Sequence, residues 1–112
     1  MASFRQGDVI KVPFPYTDRA TRTYRPALVV STANIEERHG LLWVAMITSA
    51  QNGGWTGDVP VQDLKRARLP VASIMRPAKI TSIEAADATR LGSVRPANLA
   101  RVLGAIRSEL GV

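Results

Sequence analysis

The chain contains no cysteine, which excludes disulfides, cysteine-ligated zinc and a thiol nucleophile. It holds one histidine, His39, so a serine-type triad would depend on that single residue. No apolar run approaches ~18 residues, the length a helix needs to span a bilayer. The opening Met-Ala-Ser-Phe-Arg-Gln-Gly-Asp lacks the basic-then-apolar pattern of a signal peptide, and a cytoplasmic location is expected. Internal repeats and low-complexity tracts are also missing. Negative charge is scarce: 9 Asp and Glu stand against 15 Lys and Arg, a formal net charge of +6.

What is present amounts to 112 residues, one domain's worth spanning 1–112. With 46% hydrophobic and 21% charged residues, the chain is neither a disordered tail nor a coiled coil. Twelve of the cations are Arg and three are Lys. The planar guanidinium forks onto phosphate, so a nucleic acid is one reading of the excess charge. A genome rich in Arg codons is the other, and composition alone does not separate them.

The first three quarters read as short strands. Asp8 to Phe14 alternates, with Pro13 and Pro15 closing the run because proline cannot donate to a ladder. The polar, cationic stretch from Pro15 to Tyr24 is too long for a tight hairpin and suggests a functional loop. Arg25 to Val30 reads as a buried strand, and Asn34 to Gly40 as a charged turn holding His39, Glu36 and Glu37 in solvent. Leu41 to Thr48 is the most apolar stretch; its short length and the preceding Gly40 favour a strand over a helix. After the Asn52-Gly53-Gly54 loop, Trp55 to Val61 reads as a shorter strand. Ala72 to Arg76 and Lys79 to Ile83 read as two more, divided at Pro77. Leu99, Val102, Leu103, Ile106 and Leu110 then recur at helical spacing, with Pro96 in the first turn, Gly111 past the end, and Arg101 and Arg107 outward. The pattern predicts a small, mostly antiparallel barrel or curled sheet with a C-terminal helix.

Four segments carry a resemblance. Gln6-Gly7-Asp8-Val9 with Val12-Pro13-Phe14 is similar to the N-terminal signature of the MazF/PemK toxins. Tyr24-Arg25-Pro26-Ala27-Leu28-Val29-Val30-Ser31 resembles that family's second strand, and Ala45-Met46-Ile47-Thr48-Ser49 its third. Arg76-Pro77-Ala78-Lys79-Ile80-Thr81-Ser82-Ile83 resembles a later one. The four stand in the family's order over almost the whole chain. The resemblance implies a mainly β (α+β) fold, an SH3-like antiparallel barrel of the MazF/CcdB kind. It implies a homodimer that cleaves single-stranded RNA sequence-specifically, with messenger RNA the expected class, and without a metal or other cofactor. It also implies a toxin–antitoxin system in which the chain inhibits growth until an antitoxin with an acidic, disordered tail neutralises it.

The implied chemistry is attack of a ribose 2′-OH on the adjacent phosphorus, leaving a 2′,3′-cyclic phosphate. The family's central arginine and threonine fall on Arg25 and Thr48, and a second arginine falls on Arg76. Arg25 starts one strand and Thr48 ends another, so antiparallel pairing would bring them to the same end of the barrel. A guanidinium there stabilises charge on phosphorus, but arginine holds its proton too firmly to be a good base. Where some relatives carry an acid two positions after the second arginine, this chain has Ala78, so no local Arg–acid pair forms. Arg19, Arg22 and Lys79 are candidate backbone contacts, and Ser49 a second hydroxyl donor. Tyr16, Tyr24 and Trp55 are candidate faces for base stacking. Trp43 reads as a core residue. Lys65-Arg66-Ala67-Arg68 reads as a solvated turn or helix face, or as a patch facing RNA or antitoxin.

Two rival readings share the fold. A gyrase-poisoning toxin of the CcdB type would bind protein and cut nothing, but its Trp-Gly-Ile ending is missing from Glu109-Leu110-Gly111-Val112. A non-cutting toxin or nucleic-acid-binding barrel would keep Arg25 and Thr48 for folding reasons alone.

Overall fold

The computed structural model describes residues 2–15 and 22–112, with the backbone alone at 14, 15 and 22. The strands are β1 (Asp8–Pro15), β2 (Arg22–Val29), β3 (Leu41–Ser49), β4 (Val59–Pro60), β5 (Ser73–Glu84) and β6 (Thr89–Ser93). The helices are α1 (Ala33–His39), α2 (Leu64–Ala67) and α3 (Pro96–Leu110). All six strands pair antiparallel in the order β4-β5-β3-β2-β1-β6.

Period-two alternation gives this sheet a core on each face. Val9, Leu28, Ala45, Ile47 and Met75 point one way and are buried with Val102 of α3, and Leu99, Leu103 and Ile106 pack over them. Ile10, Val12, Ala27, Val29, Leu42 and Val44 point the other way, covered by Phe4 and Ile83. Asn98 of α3 is buried but satisfied: its side chain accepts from the Gln62 amide at 2.9 Å and donates to the Pro60 carbonyl at 3.0 Å. That pair of bonds ties the helix to edge strand β4. The other edge is closed at Gly92 of β6, where an added Cβ would collide with the Arg66 carbonyl oxygen of α2. Only glycine lets the two backbones approach so closely.

The helix at 96–110 forms as its periodicity predicts, with Pro96 as its first residue and Gly111 (φ 76°) as its left-handed cap. Its fifth apolar position differs: Leu110 is exposed, one turn beyond the contact with the sheet. Residues 34–40 are not a turn. Ala33–His39 is helical, and the Glu36 carboxylate accepts the amides of Ser3 and Phe4 at 2.8 and 3.0 Å. Glu36 is thus a tether for the N-terminal segment rather than a solvated charge. The strand expected over 55–61 is reduced to Val59–Pro60. The two pieces expected around Pro77 are one strand, because a bulge absorbs the proline: Met46 faces Arg76, Ala45 faces Ile80, and Pro77, Ala78 and Lys79 lie unpaired between them. Trp43 is 52% exposed rather than in the core, on an uncovered part of the sheet opposite Ser82. Strand β6 has no counterpart in the elements expected from the sequence. No helix among the described residues is long and apolar enough to cross a membrane.

Candidate active site

Strands β2 and β3 pair Val29 with Val44, Leu28 with Ala45 and Ala27 with Met46. Beyond that register lie Arg25 on β2 and Thr48 on β3. Both line a cleft of about 390 Å³ together with Thr23, Tyr24, Ser49 and Asn52, walled on one side by Leu69, Pro70 and Val71. Among the described residues of this lining there is no carboxylate. Its polar groups are a guanidinium, hydroxyls and a carboxamide, a set suited to an anion with several acceptor oxygens.

The hydroxyl pair is held from one side. Asn52, at the end of a 3₁₀ turn (Ala50–Asn52), donates from Nδ2 to Thr48 Oγ1 at 3.1 Å and to Ser49 Oγ at 3.2 Å. Tyr24 is exposed at the rim, with the Lys11 ammonium 5.6 Å from its ring centroid. Its ring is therefore part of the cationic surround as well as an open face.

Arg76 stands in a different environment. Its side chain is 9% exposed, and Nε and Nη2 fork onto Asp58 Oδ1 and Oδ2 at 3.0 and 2.9 Å. Nη2 also donates to the Asn52 carbonyl at 2.9 Å, and the Trp55 ring lies over the guanidinium at 4.0 Å. The hydrogen bond from Arg76 holds the Asp58 carboxyl below its ordinary range, against the opposing effect of burial. The same bond raises the Arg76 pKa further, so this guanidinium keeps its proton. The acid that Ala78 cannot supply thus arrives from 18 residues away. Trp55, half-exposed, spends one face on Arg76.

Of the other sequence candidates, Lys79 lies in the bulge and lines a separate hollow of about 640 Å³ with Val12, Met46 and Thr81. Tyr16 and Arg19 fall outside the described residues. Arg22 opens β2 opposite Pro15, its side chain likewise outside the description. His39 is exposed at the end of α1, beside Trp43 and away from the cleft. Of the cluster at 65–68, the first three residues belong to α2, and Arg66 donates to Ser93 Oγ at 3.1 Å. Asp8, part of the N-terminal signature, plays a structural part. Its carboxylate is buried, accepts the Arg5 amide at 2.9 Å and pairs with Arg90 at 3.2 Å. Sequence reasoning missed Asn52 and Asp58. The Asn-Gly-Gly string marked only a loop, and Asp58 carried no spacing signal toward Arg76.

No curated protein matches the chain in sequence. Solved structures do resemble it. A MazE-MazF structure (Form-III) from Deinococcus radiodurans is 25% identical, with 97% of each chain covered and a TM-score of 0.80. MazF (Form-I) from the same organism is 26% identical, again with 97% of each chain covered, at a TM-score of 0.76. An endoribonuclease in complex with its cognate antitoxin, from a mycobacterial species, shares the fold at 18% identity and a TM-score of 0.75, covering 100% of this chain and 97% of its own. The family model of the PemK-like, MazF-like toxins matches residues 5–110. With the sheet order, the C-terminal helix and the cleft between β2 and β3 in hand, that match is decisive: the chain belongs to the PemK-like, MazF-like toxins of type II toxin–antitoxin systems.

Proposed function

We propose that the chain is a sequence-specific endoribonuclease that cuts single-stranded RNA, messenger RNA above all, without a metal or other cofactor. The observation that carries this is the meeting of Arg25 with the Thr48 and Ser49 hydroxyls in a cleft whose described lining has no carboxylate. A phosphodiester in that cleft would meet positive charge and hydroxyl donors on one side, with Tyr24 at the rim for a base.

Cleavage requires the 2′-OH to lose its proton, the phosphorus to take a fifth oxygen, and the 5′-oxygen to leave with a proton. Arg25 supplies the middle requirement. Its fork donates to the non-bridging oxygens as negative charge grows on them, a contribution of about 3–4 kcal/mol for a well-placed donor. Thr48 and Ser49 add neutral donors to the same oxygens. Arg25 is a stabiliser rather than a base in this scheme. In this scheme Arg76 acts away from the phosphorus, in keeping with the commitment of its Nε and Nη2 to Asp58 and to the Asn52 carbonyl.

The MazF of Deinococcus radiodurans is seen with MazE, and the mycobacterial endoribonuclease with its cognate antitoxin. By analogy this chain works as a homodimer in the cytoplasm and is neutralised by an antitoxin with an acidic, disordered tail. Such a tail would be drawn to the same cationic cleft and would fold on binding.

The test incubates purified protein with single-stranded RNA in EDTA, beside Arg25→Ala and Thr48→Ala variants. Expected are products ending in cyclic phosphate, a loss of about 10³-fold for Arg25→Ala and a smaller one for Thr48→Ala, with fold intact. An all-deoxy oligonucleotide should survive, lacking the attacking hydroxyl. Undiminished cutting by both variants moves the site elsewhere. Binding without cutting of any RNA replaces the nuclease with a binding module.

A further inference from the structure

Each hydroxyl of the Thr48–Ser49 pair has one hydrogen to give and lone pairs to receive. Both oxygens already receive a hydrogen bond from the same carboxamide nitrogen, Asn52 Nδ2, at 3.1 and 3.2 Å. That nitrogen only donates, so neither hydroxyl hydrogen can point back at it. Burial does not hold Asn52 there, since the residue is exposed. Its backbone is held instead: the Asn52 carbonyl accepts from Arg76 Nη2 at 2.9 Å, and Arg76 is locked by Asp58 on one side and the Trp55 ring on the other. A tight turn completes the mount, the Gly53 amide donating to the Ala50 carbonyl at 3.0 Å.

We propose that Asn52 is a positioning residue: its carboxamide turns the Thr48 and Ser49 hydroxyl hydrogens away from itself and into the cleft, and the Arg76–Asp58 pair keeps Asn52 in place. The proposal rests on the nuclease reading of that cleft. It gives the second arginine a use at one remove, with Arg76 supporting the residue that aims the donors. It also separates two substitutions at the same position. Asn52→Ala frees the hydroxyls to rotate, so part of the population still donates to phosphate. Asn52→Asp presents only acceptors, so the hydroxyl hydrogens swing inward to the carboxylate.

The experiment measures kcat and KM for wild type, Asn52→Ala, Asn52→Asp, Asp58→Asn and the Asn52→Ala/Asp58→Asn double variant, well below their melting temperatures. The substrate is an RNA oligonucleotide spanning a site that wild type cuts. Dissociation constants for its all-deoxy counterpart, and melting temperatures, are measured in parallel. Expected for Asn52→Ala is a fall in kcat of about tenfold, with deoxy binding within about twofold and little change in melting temperature. Asn52→Asp should fall by about a hundredfold in kcat. Asp58→Asn should lower kcat, and the double variant should be no slower than Asn52→Ala, because both act through one side chain.

Several results overturn the proposal while leaving the nuclease reading intact, provided Arg25→Ala is inactive. These are wild-type kcat in both Asn52 variants, an Asn52→Asp enzyme faster than Asn52→Ala, or losses that multiply in the double variant. Equal losses in both Asn52 variants that track melting temperature would make Asn52 merely structural. A wild-type protein that cuts no RNA removes the nuclease reading, and the positioning role with it.

Discussion

Asp58→Asn is the most informative single change for stability. It keeps the shape of the side chain and one acceptor oxygen, and removes the charge that faces Arg76. Both side chains of the pair are about nine-tenths buried, at 9% and 10% exposure, and two hydrogen bonds of 3.0 and 2.9 Å join them. Removing one partner leaves a desolvated guanidinium, at a cost of about 3 kcal/mol. For a chain of this length that lowers the melting temperature by roughly 12 °C, at ~4 °C per kcal/mol. Thermal denaturation followed by circular dichroism at pH 7 reads the shift directly. The gap should also depend on pH in a defined direction. The folded carboxyl lies below its ordinary value of 3.8, so the unfolded chain binds the proton first as acid is added. The stabilisation is fully present above the unfolded pKa and is lost as pH falls through the folded one. Wild type and Asp58→Asn should therefore differ by a constant amount from pH 7 down to about 5, and converge below ~4. A shift of less than about 3 °C at pH 7, or a gap that widens in acid, would refute the account of the pair.

Gly92→Ala should destabilise the fold by about 1–3 kcal/mol in urea titration, because the new methyl group meets the Arg66 carbonyl. Val102→Ala, a cavity under α3 at a fully buried position, should cost about 2 kcal/mol in the same titration. Arg25→Lys keeps the charge but loses the fork, so RNA cleavage by the folded protein should drop at least ~10-fold. Glu36→Ala should speed amide exchange at Ser3 and Phe4 without affecting the strands, since among the described residues those are the two amides its carboxylate accepts.

The parts of the molecule legible in the sequence are those whose cause is local. Helix α3 announces itself through Pro96, Gly111 and a 3.6-residue period, and only Leu110 departs, where the helix outruns the sheet. The central strand at 41–49 follows from its composition, and the arrival of Arg25 and Thr48 at one cleft follows from the antiparallel pairing of β2 with β3. What stayed hidden depends on distant partners. Helix α1 is short, and its Glu36 is engaged by the N-terminal amides, which no window around residue 36 reveals. The continuity of β5 across Pro77 depends on β3 tolerating a bulge at Ala45 and Met46. Trp43 looks like core because its neighbours are core, but its own side of the strand is uncovered there. Asp58 and Asn52 reach Arg76 through a loop, where side-chain periodicity carries no information.

Strand β1 lies inside the sheet, between β2 and β6, with Asp8 beside Ser93. On the ribosome the chain therefore makes interior strand β1 long before β6, one of its two neighbours. The cleft has the same schedule, since Arg25 is made early while Leu69 to Ser73, on its far wall, and Arg76, behind Asn52, come much later. Long-range pairing of this kind closes late and cooperatively. A growing chain would thus carry no half-built site, and the cleft would be complete only after the segment through Arg76 has been made.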